Sequence, residues 1–419
     1  MMRRACHRGF GFVFAIVTTV MLMVAASAPS PFYPQFAERL GLPAVATTSV
    51  FAVYAFTMLA ALLLAGALSD VVGRRRVITA GSVLLAVSLV LFWHSDSLAM
   101  LLIARGIQGV AAGILLPALS AMVVDFAPMG RSDAASLWNT IAGMIGLGIG
   151  AITAALLLDV AADPAGVVFG SLALVFLLVS VLVWAAPEAG GSTRRTVLSA
   201  VSRPAVPGYL RRPLMAAVPA IIAGWATNGL FLALGSSLVR QEFGATTHAA
   251  QSIAIPVFAA SGIIAAVGLH RRPPRVISLY GSSALGIGTA LTLAGLLFHS
   301  LPGYLAAVAV VGTGFGTAFM GVLKTLMPRV EPTERAAVMS TIYTVSYVAF
   351  GVPTIVAGLL VPVISLQGAM IVLGAGVVVL SLIATITRVR IRDQDAQATD
   401  APRADTIHPV LTPESGVPR

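Results

Sequence analysis

Runs of about 20 apolar residues, bounded by charges, glycines or prolines, constrain this chain most. Twelve are readable, at roughly 9–30, 45–66, 77–94, 98–122, 135–158, 166–186, 214–237, 249–269, 276–298, 303–325, 337–361 and 367–387. As helices, runs of this length match the hydrocarbon thickness of a bilayer. They are too long for strands and do not alternate with period two, so nothing points to a barrel. Composition agrees: 58% of the 419 residues are apolar and 10% charged, against about 45–50% and about 25% in soluble domains. That excludes a soluble enzyme, a disordered chain and a disulfide scaffold. The expected fold is an all-α membrane protein with twelve transmembrane helices.

The net charge of +10 is explained by its placement. Twelve spans put both ends of the chain on one side, and that side then holds 23 of the 26 basic residues. The other side has Arg39 and Arg240, and Arg105 lies inside a span. This asymmetry predicts cytoplasmic termini in a cytoplasmic membrane and removes any need for a nucleic-acid partner. A rival reading exists at the N-terminus, where basic residues, an apolar run and Ala26-Ser27-Ala28 resemble a signal peptide. Cleavage there would leave Pro29 first and eleven spans, so the stretch is read as span one. The single cysteine and six scattered histidines carry no metal-ligand spacing. No cofactor is expected.

The longest inner loop, 187–213, holds five arginines and divides the spans six and six. The expected organisation is an N-terminal six-helix half at 1–186, that loop, a C-terminal half at 214–387, and a disordered tail at 388–419. The halves echo each other. Pro128-x-x-Arg131 matches Pro332-x-x-Arg335 at an offset of 204, and Arg76-Val77-Ile78 matches Arg275-Val276-Ile277 at 199. A duplicated six-helix unit around a midplane site is a transporter plan.

The loop after span two reads Gly66-Ala67-Leu68-Ser69-Asp70-Val71-Val72-Gly73-Arg74-Arg75-Arg76. Gly66 would let helix ends approach closely, and Gly73 would permit a tight turn. Asp70 would accept from exposed backbone N–H groups and pair with arginines. The whole spacing resembles the signature loop of the major facilitator superfamily, G-x-L-[AS]-D-x-x-G-[RK]-[RK]-[RK]. The resemblance implies two pseudo-symmetric six-helix halves, alternating access, and a gating role for this loop.

Span four begins Arg105-Gly106-Ile107-Gln108-Gly109, which resembles the family's R-x-x-Q-G motif. An intramembrane arginine is costly and reads as functional, and the resemblance links Arg105 and Gln108 to coupling. The alternative is an arginine snorkelling to the outer surface. Span five runs Gly146-Leu147-Gly148-Ile149-Gly150-Ala151, similar to the family's antiporter segment but with Ala151 in place of its proline.

No carboxylate falls at a helix centre, and Asp125 and Asp159 near span ends are the nearest substitutes. Polar and aromatic candidates for a substrate cavity are Tyr33, Tyr54, Trp138, Asn139, Trp225, Asn228, Tyr343 and Tyr347. Aromatic and methionine surfaces suit apolar or amphiphilic ligands. The expectation is a monomeric secondary transporter of the efflux type, driven by the proton gradient and acting on a small molecule. Uptake of a metabolite is the alternative. An intramembrane lipid-modifying enzyme would need an Asp, His, Glu or Ser cluster on one face, and none is readable.

Overall fold

A computed structural model describes residues 2–66, 68–127, 132–187, 204–331 and 334–400, with side chains described at 9–66, 68–127, 137–187, 204–331 and 334–390. The expected Pro128-x-x-Arg131 match, Pro332, Gly190 and Gly191 of the central loop and the tail beyond 400 lie outside them. All the regular structure described is helical. Among the described residues ten helices are long and apolar enough to cross a membrane by length and composition. One of these, Arg335–Asp400, is broken by non-helical backbone at Ile364 and Ser365 and forms two segments. The shorter apolar helix Ala254–Leu269 has 16 residues. The described chain thus makes twelve segments.

In order they are α1 (Met2–Ser27), α2 (Ala44–Ala65), α3 (Arg74–Trp93), α4 (Leu98–Phe126), α5 (Ser132–Val160) and α6 (Ser171–Leu182). Then come α7 (Arg211–Phe243), α8 (Ala254–Leu269), α9 (Pro274–Leu297), α10 (Leu301–Leu326), α11 (335–363) and α12 (366–400). The last helix therefore continues past residue 387 to Asp400. Chemistry at the breaks is local. Pro29, Pro31 and Pro34 lack N–H donors, so the chain leaves α1 through a short turn into a separate helix, Tyr33–Leu40. Between α11 and α12, Ser365 sits at φ 68° and its hydroxyl accepts from the Gly368 N–H at 3.2 Å, capping α12. Ser97 and Ser300 cap α4 and α10 in the same manner, accepting from Met100 and Gly303.

Helix pairings repeat with an offset of six. Within the first half α1 packs on α5, α2 on α4, α3 on α4 and α3 on α6. Within the second, α7 packs on α11, α8 on α10, α9 on α10 and α9 on α12. Two seams join the halves, α2 against α11 and α5 against α8. They are equivalent under the same offset, so the halves surround an axis along the membrane normal.

Lipid supplies no hydrophobic drive between helices, so close packing must. The α9–α10 seam shows how. Gly281, Gly288 and Gly295 recur every seven residues, about two helical turns, and a Cβ on each would press on backbone of Ala318, Val311 and Tyr304 at under 3.0 Å. Gly314 and Gly321 answer from α10, against Leu285 and Ser278. In α5, Gly146 and Gly150 take the backbone of α1 at Val20 and Val24, while Gly148 faces Ala259 and Pro256 of α8. The segment similar to the antiporter motif is thus wedged between the halves.

Candidate substrate cavity

A cavity of about 880 Å³ lies between the halves, a size typical of small-ligand sites. Phe51, Tyr54 and Met58 reach it from one stripe of α2, at spacings of three and four. Met339, Tyr343, Tyr347 and Phe350 reach it from the facing stripe of α11. Met23 and Ala26 of α1, Asn139 and Met144 of α5, Trp225 and Asn228 of α7, and Phe315, Phe319 and Met320 of α10 complete most of the wall.

Trp225 is the hub. Its ring lies 5.0 Å from Tyr347, 5.7 Å from Phe319, 6.0 Å from Phe350 and 6.4 Å from Phe315. Phe350 in turn lies 4.9 Å from Phe51, carrying the cluster across the boundary between halves. Polar atoms are few. The Trp225 Nε1 and the Asn139 Oδ1 are buried without a hydrogen-bond partner, while the Asn139 amide donates to the Ser120 carbonyl at 3.4 Å. An unpartnered N–H and an unpartnered amide oxygen on an apolar wall are binding handles for a ligand.

Burial is graded along the cavity. Phe51 is 2% exposed, and Tyr347 and Phe350 are 4% exposed, whereas Val124, near the arginine-rich end of α4, is 59% exposed. The cavity reaches that end between α4 and α10, at Ala127, Leu323 and Met327. At the opposite end three polar links join the halves. The Ser30 hydroxyl donates to the Leu232 carbonyl, Arg240 pairs with Glu38, and Asp159 caps the short helix His248–Ser252. One Asp159 oxygen accepts from the His248 N–H at 2.9 Å and meets His248 Nδ1 at 2.7 Å, and the other accepts from the Ala249 N–H at 2.9 Å. The cavity is thus sealed at the arginine-poor end and reaches the arginine-rich one.

Asp159→Asn is expected to loosen that seal, because an amide offers one acceptor where the carboxylate offers two. The readout is labelling of Leu232→Cys, on a Cys6→Ser background, by an impermeant thiol reagent added from the arginine-poor side. Labelling is expected to rise severalfold in the Asp159→Asn protein. An unchanged rate refutes the role of the seal.

Arg105 does not snorkel. It is 0% exposed, and its Nε donates to the Tyr33 hydroxyl at 2.7 Å. It also donates to the Ala26 carbonyl at 3.3 Å and to the Gln108 side-chain oxygen. Gln108 donates in turn to the Ala25 carbonyl at 2.9 Å. Four rings surround the guanidinium carbon, Tyr54 at 5.2 Å, Tyr33 and Phe92 at 5.5 Å and Phe51 at 5.8 Å. These are cation–π distances. Gly109 lets α4 meet the α2 backbone at Tyr54, which brings this cage against the cavity wall.

The loop after α2 is a separate cluster at the arginine-rich end. Gly73 has φ 102°, a conformation suited to glycine. Arg74 pairs with Asp125 at 2.8 Å and with Asp70 at 3.8 Å. Arg75 donates to the Ala186 carbonyl and Arg76 to the Val72 carbonyl at 3.5 Å. Asp125 therefore stands with this loop rather than along the cavity. Gly66 corrects one expectation. It is the α2 C-cap, at φ −59° and ψ −31°, and among the described residues only Leu62 of its own turn lies near a would-be Cβ, so no described second helix approaches there.

Of the eight residues expected in the cavity, Tyr54, Asn139, Trp225, Asn228, Tyr343 and Tyr347 line it. Tyr33 does not, being committed to Arg105 behind the wall. Trp138 does not either; it is 37% exposed and outside the cavity lining. Missing from the expectation were the wall's six methionines, Met23, Met58, Met144, Met320, Met327 and Met339, and its phenylalanines. In a chain this apolar their type carries no signal. The spacing of Met339, Tyr343 and Tyr347 every four residues was the one available clue.

Comparison with known proteins agrees with this architecture. The model of the Major Facilitator Superfamily matches residues 15–352. MdtD of Salmonella typhimurium, provisionally named for multidrug resistance, is 25% identical over 331 residues, 75% of this chain and 61% of that protein. The chain thus spans about 61% of the length of these curated relatives. The quinolone resistance protein NorA of Staphylococcus aureus is 26% identical over 98 residues, 23% of this chain and 25% of that protein. In fold, the chain is similar to the human organic anion transporter MFSD10, with a TM-score of 0.67 at 17% identity. It is also similar to a variant of the nucleoside transporter NupG, with a TM-score of 0.71 at 13% identity. Each likeness covers 90% of this chain and 99% of the other.

Proposed function

The chain belongs to the major facilitator superfamily, and from that premise we propose that this multi-pass membrane transporter exports a small apolar or amphiphilic molecule across the cytoplasmic membrane, driven by the proton gradient. The observation that carries the reading is the cavity between the halves, walled by six methionines and the Trp225 aromatic cluster. Such a wall is soft and adaptable, and it fits molecules by shape and apolar area rather than by a fixed polar pattern. The relatives named for drug resistance support the same direction.

In this reading the arginine-rich side is cytoplasmic, with both termini there, and the structure is the inward-facing state. Cargo enters from the cytoplasm or the inner leaflet past Val124 and Met327. Rocking of the halves then parts the Asp159–His248, Glu38–Arg240 and Ser30–Leu232 links and closes the arginine-rich end. The loop of Asp70, Gly73 and Arg74–Arg76 gates that closure. The protein works as a monomer and without a cofactor. Proton-driven uptake of a metabolite is the competing reading, and it predicts flux in the opposite direction.

Inside-out vesicles test this. With an acid interior, an apolar fluorescent probe is expected to accumulate inside vesicles that hold the protein, and accumulation is expected to stop when the pH gradient is collapsed. Accumulation that survives the collapse refutes proton coupling. Probe lost from preloaded vesicles in the same gradient establishes uptake instead.

A further inference from the structure

The charge of the cargo is set by the cavity wall. Among the described residues that line the cavity none is acidic or basic. At the deep α2–α4 wall one charge, the Arg105 guanidinium, lies a single side-chain layer behind the lining. Ala26, which accepts from it, and Tyr54 and Phe51, whose rings flank it, are themselves wall residues.

A buried cation is ordinarily matched by a carboxylate. Every partner described for Arg105 is neutral: a phenol, an amide oxygen, a backbone carbonyl and four rings. None of the ion pairs among the described residues includes it. Dipoles and ring quadrupoles hold a charge in place without cancelling its field at a distance. The cavity therefore carries a positive potential at its α2–α4 wall, in a low-dielectric medium that screens it weakly. Aromatic walls can attract cations; Tyr54 and Phe51 already serve the guanidinium, and the Trp225 cluster is the competing attraction that the ammonium probe measures.

A second observation points the same way. The Trp225 Nε1 is buried on the wall with no acceptor, and indole nitrogen can only donate. Through Phe350 and Phe51 this ring is in continuous contact with the Arg105 cage. An acceptor on the cargo would complete the indole, and a negative charge on it would answer the field of Arg105.

Building on the export reading above, we propose that the cargo is an aromatic weak acid carried with its acidic group toward Arg105, and that the cavity rejects cationic amphiphiles of the same shape. The test uses the purified full chain and three matched probes: an aryl carboxylate, its methyl ester, and the benzylic ammonium. Affinities are read by calorimetry. The carboxylate is expected to bind roughly tenfold tighter than the ammonium, a modest value for a unit charge acting across one side-chain layer. In Arg105→Gln the carboxylate-to-ammonium ratio is expected to fall to about one, and in Arg105→Lys to persist. Equal or tighter binding of the ammonium by the native protein overturns the proposal, as does an unchanged ratio in a folded Arg105→Gln protein. Ester efflux from vesicles separates this from the export reading. Efflux without charge order defeats the inference alone, and charge order without efflux defeats export alone.

Discussion

Trp225→Ala is expected to cut transport of an apolar probe at least tenfold, equivalent to about 1.4 kcal/mol of lost binding. The reason is position. Trp225 touches Tyr347, Phe319, Phe350 and Phe315 at once, and edge-on and tilted ring pairs are worth about 0.5–1.5 kcal/mol each beyond the area they bury. Removing the indole frees four neighbours to collapse into the cavity and deletes the Nε1 donor. Trp225→Phe keeps a ring but not the donor, and its loss is expected to be intermediate. Trp138→Ala is the control. That indole is 37% exposed and outside the cavity lining, and its removal is expected to change transport less than about twofold. Vesicle flux at matched protein density, with thermal melting to verify folding, reads all three. Equal losses at Trp138 and Trp225 would refute the cavity assignment.

Gly314→Leu is expected to be the most damaging single change in the bundle. A Cβ at this position would lie 2.8 Å from the Leu285 Cα, so a bulky side chain meets backbone, not a movable side chain. Overpacking of this kind costs about 3 kcal/mol or more, and the α9–α10 contact would have to open along Gly281, Gly288 and Gly321 together. Melting in detergent is expected to fall by roughly 3–4 °C or more. Gly376→Leu in α12 offers the contrast, because nothing lies within 4 Å of its would-be Cβ. That protein is expected to melt as the native one does. A native melting point for Gly314→Leu would mean that the seam is looser than its geometry.

Several elements were legible from residues alone, for identifiable reasons. The loop after α2 was readable because it concentrates residues that lipid excludes from the spans themselves. A positive-φ glycine, an aspartate and three arginines at a helix end have few other uses. Arg105 was readable because a charge inside a span demands an explanation. Its solution was not readable, since Tyr33 lies 72 residues away and only the packing of the short Tyr33–Leu40 helix and of α3 against α4 brings Tyr33 and Phe92 to it. The Asp159–His248 link was also hidden. Both residues look like ordinary loop-end polar groups until α5 and α8 are placed side by side.

The sequence by itself determined that the chain lives in a bilayer, that it carries twelve apolar runs, and that its basic residues gather at alternate ends of them. Those properties depend on the length and polarity of local segments, which a bilayer reads one helix at a time. Only the tertiary structure decided which apolar residues face lipid, which face a neighbouring helix and which face the cavity. Lipid tails are as apolar as leucine, so a helix in this bundle carries no amphipathic stripe to mark its inner face. Trp138 and Trp225 illustrate the point, two tryptophans in apolar helices of which the packing left one outside the lining and made the other the centre of the wall.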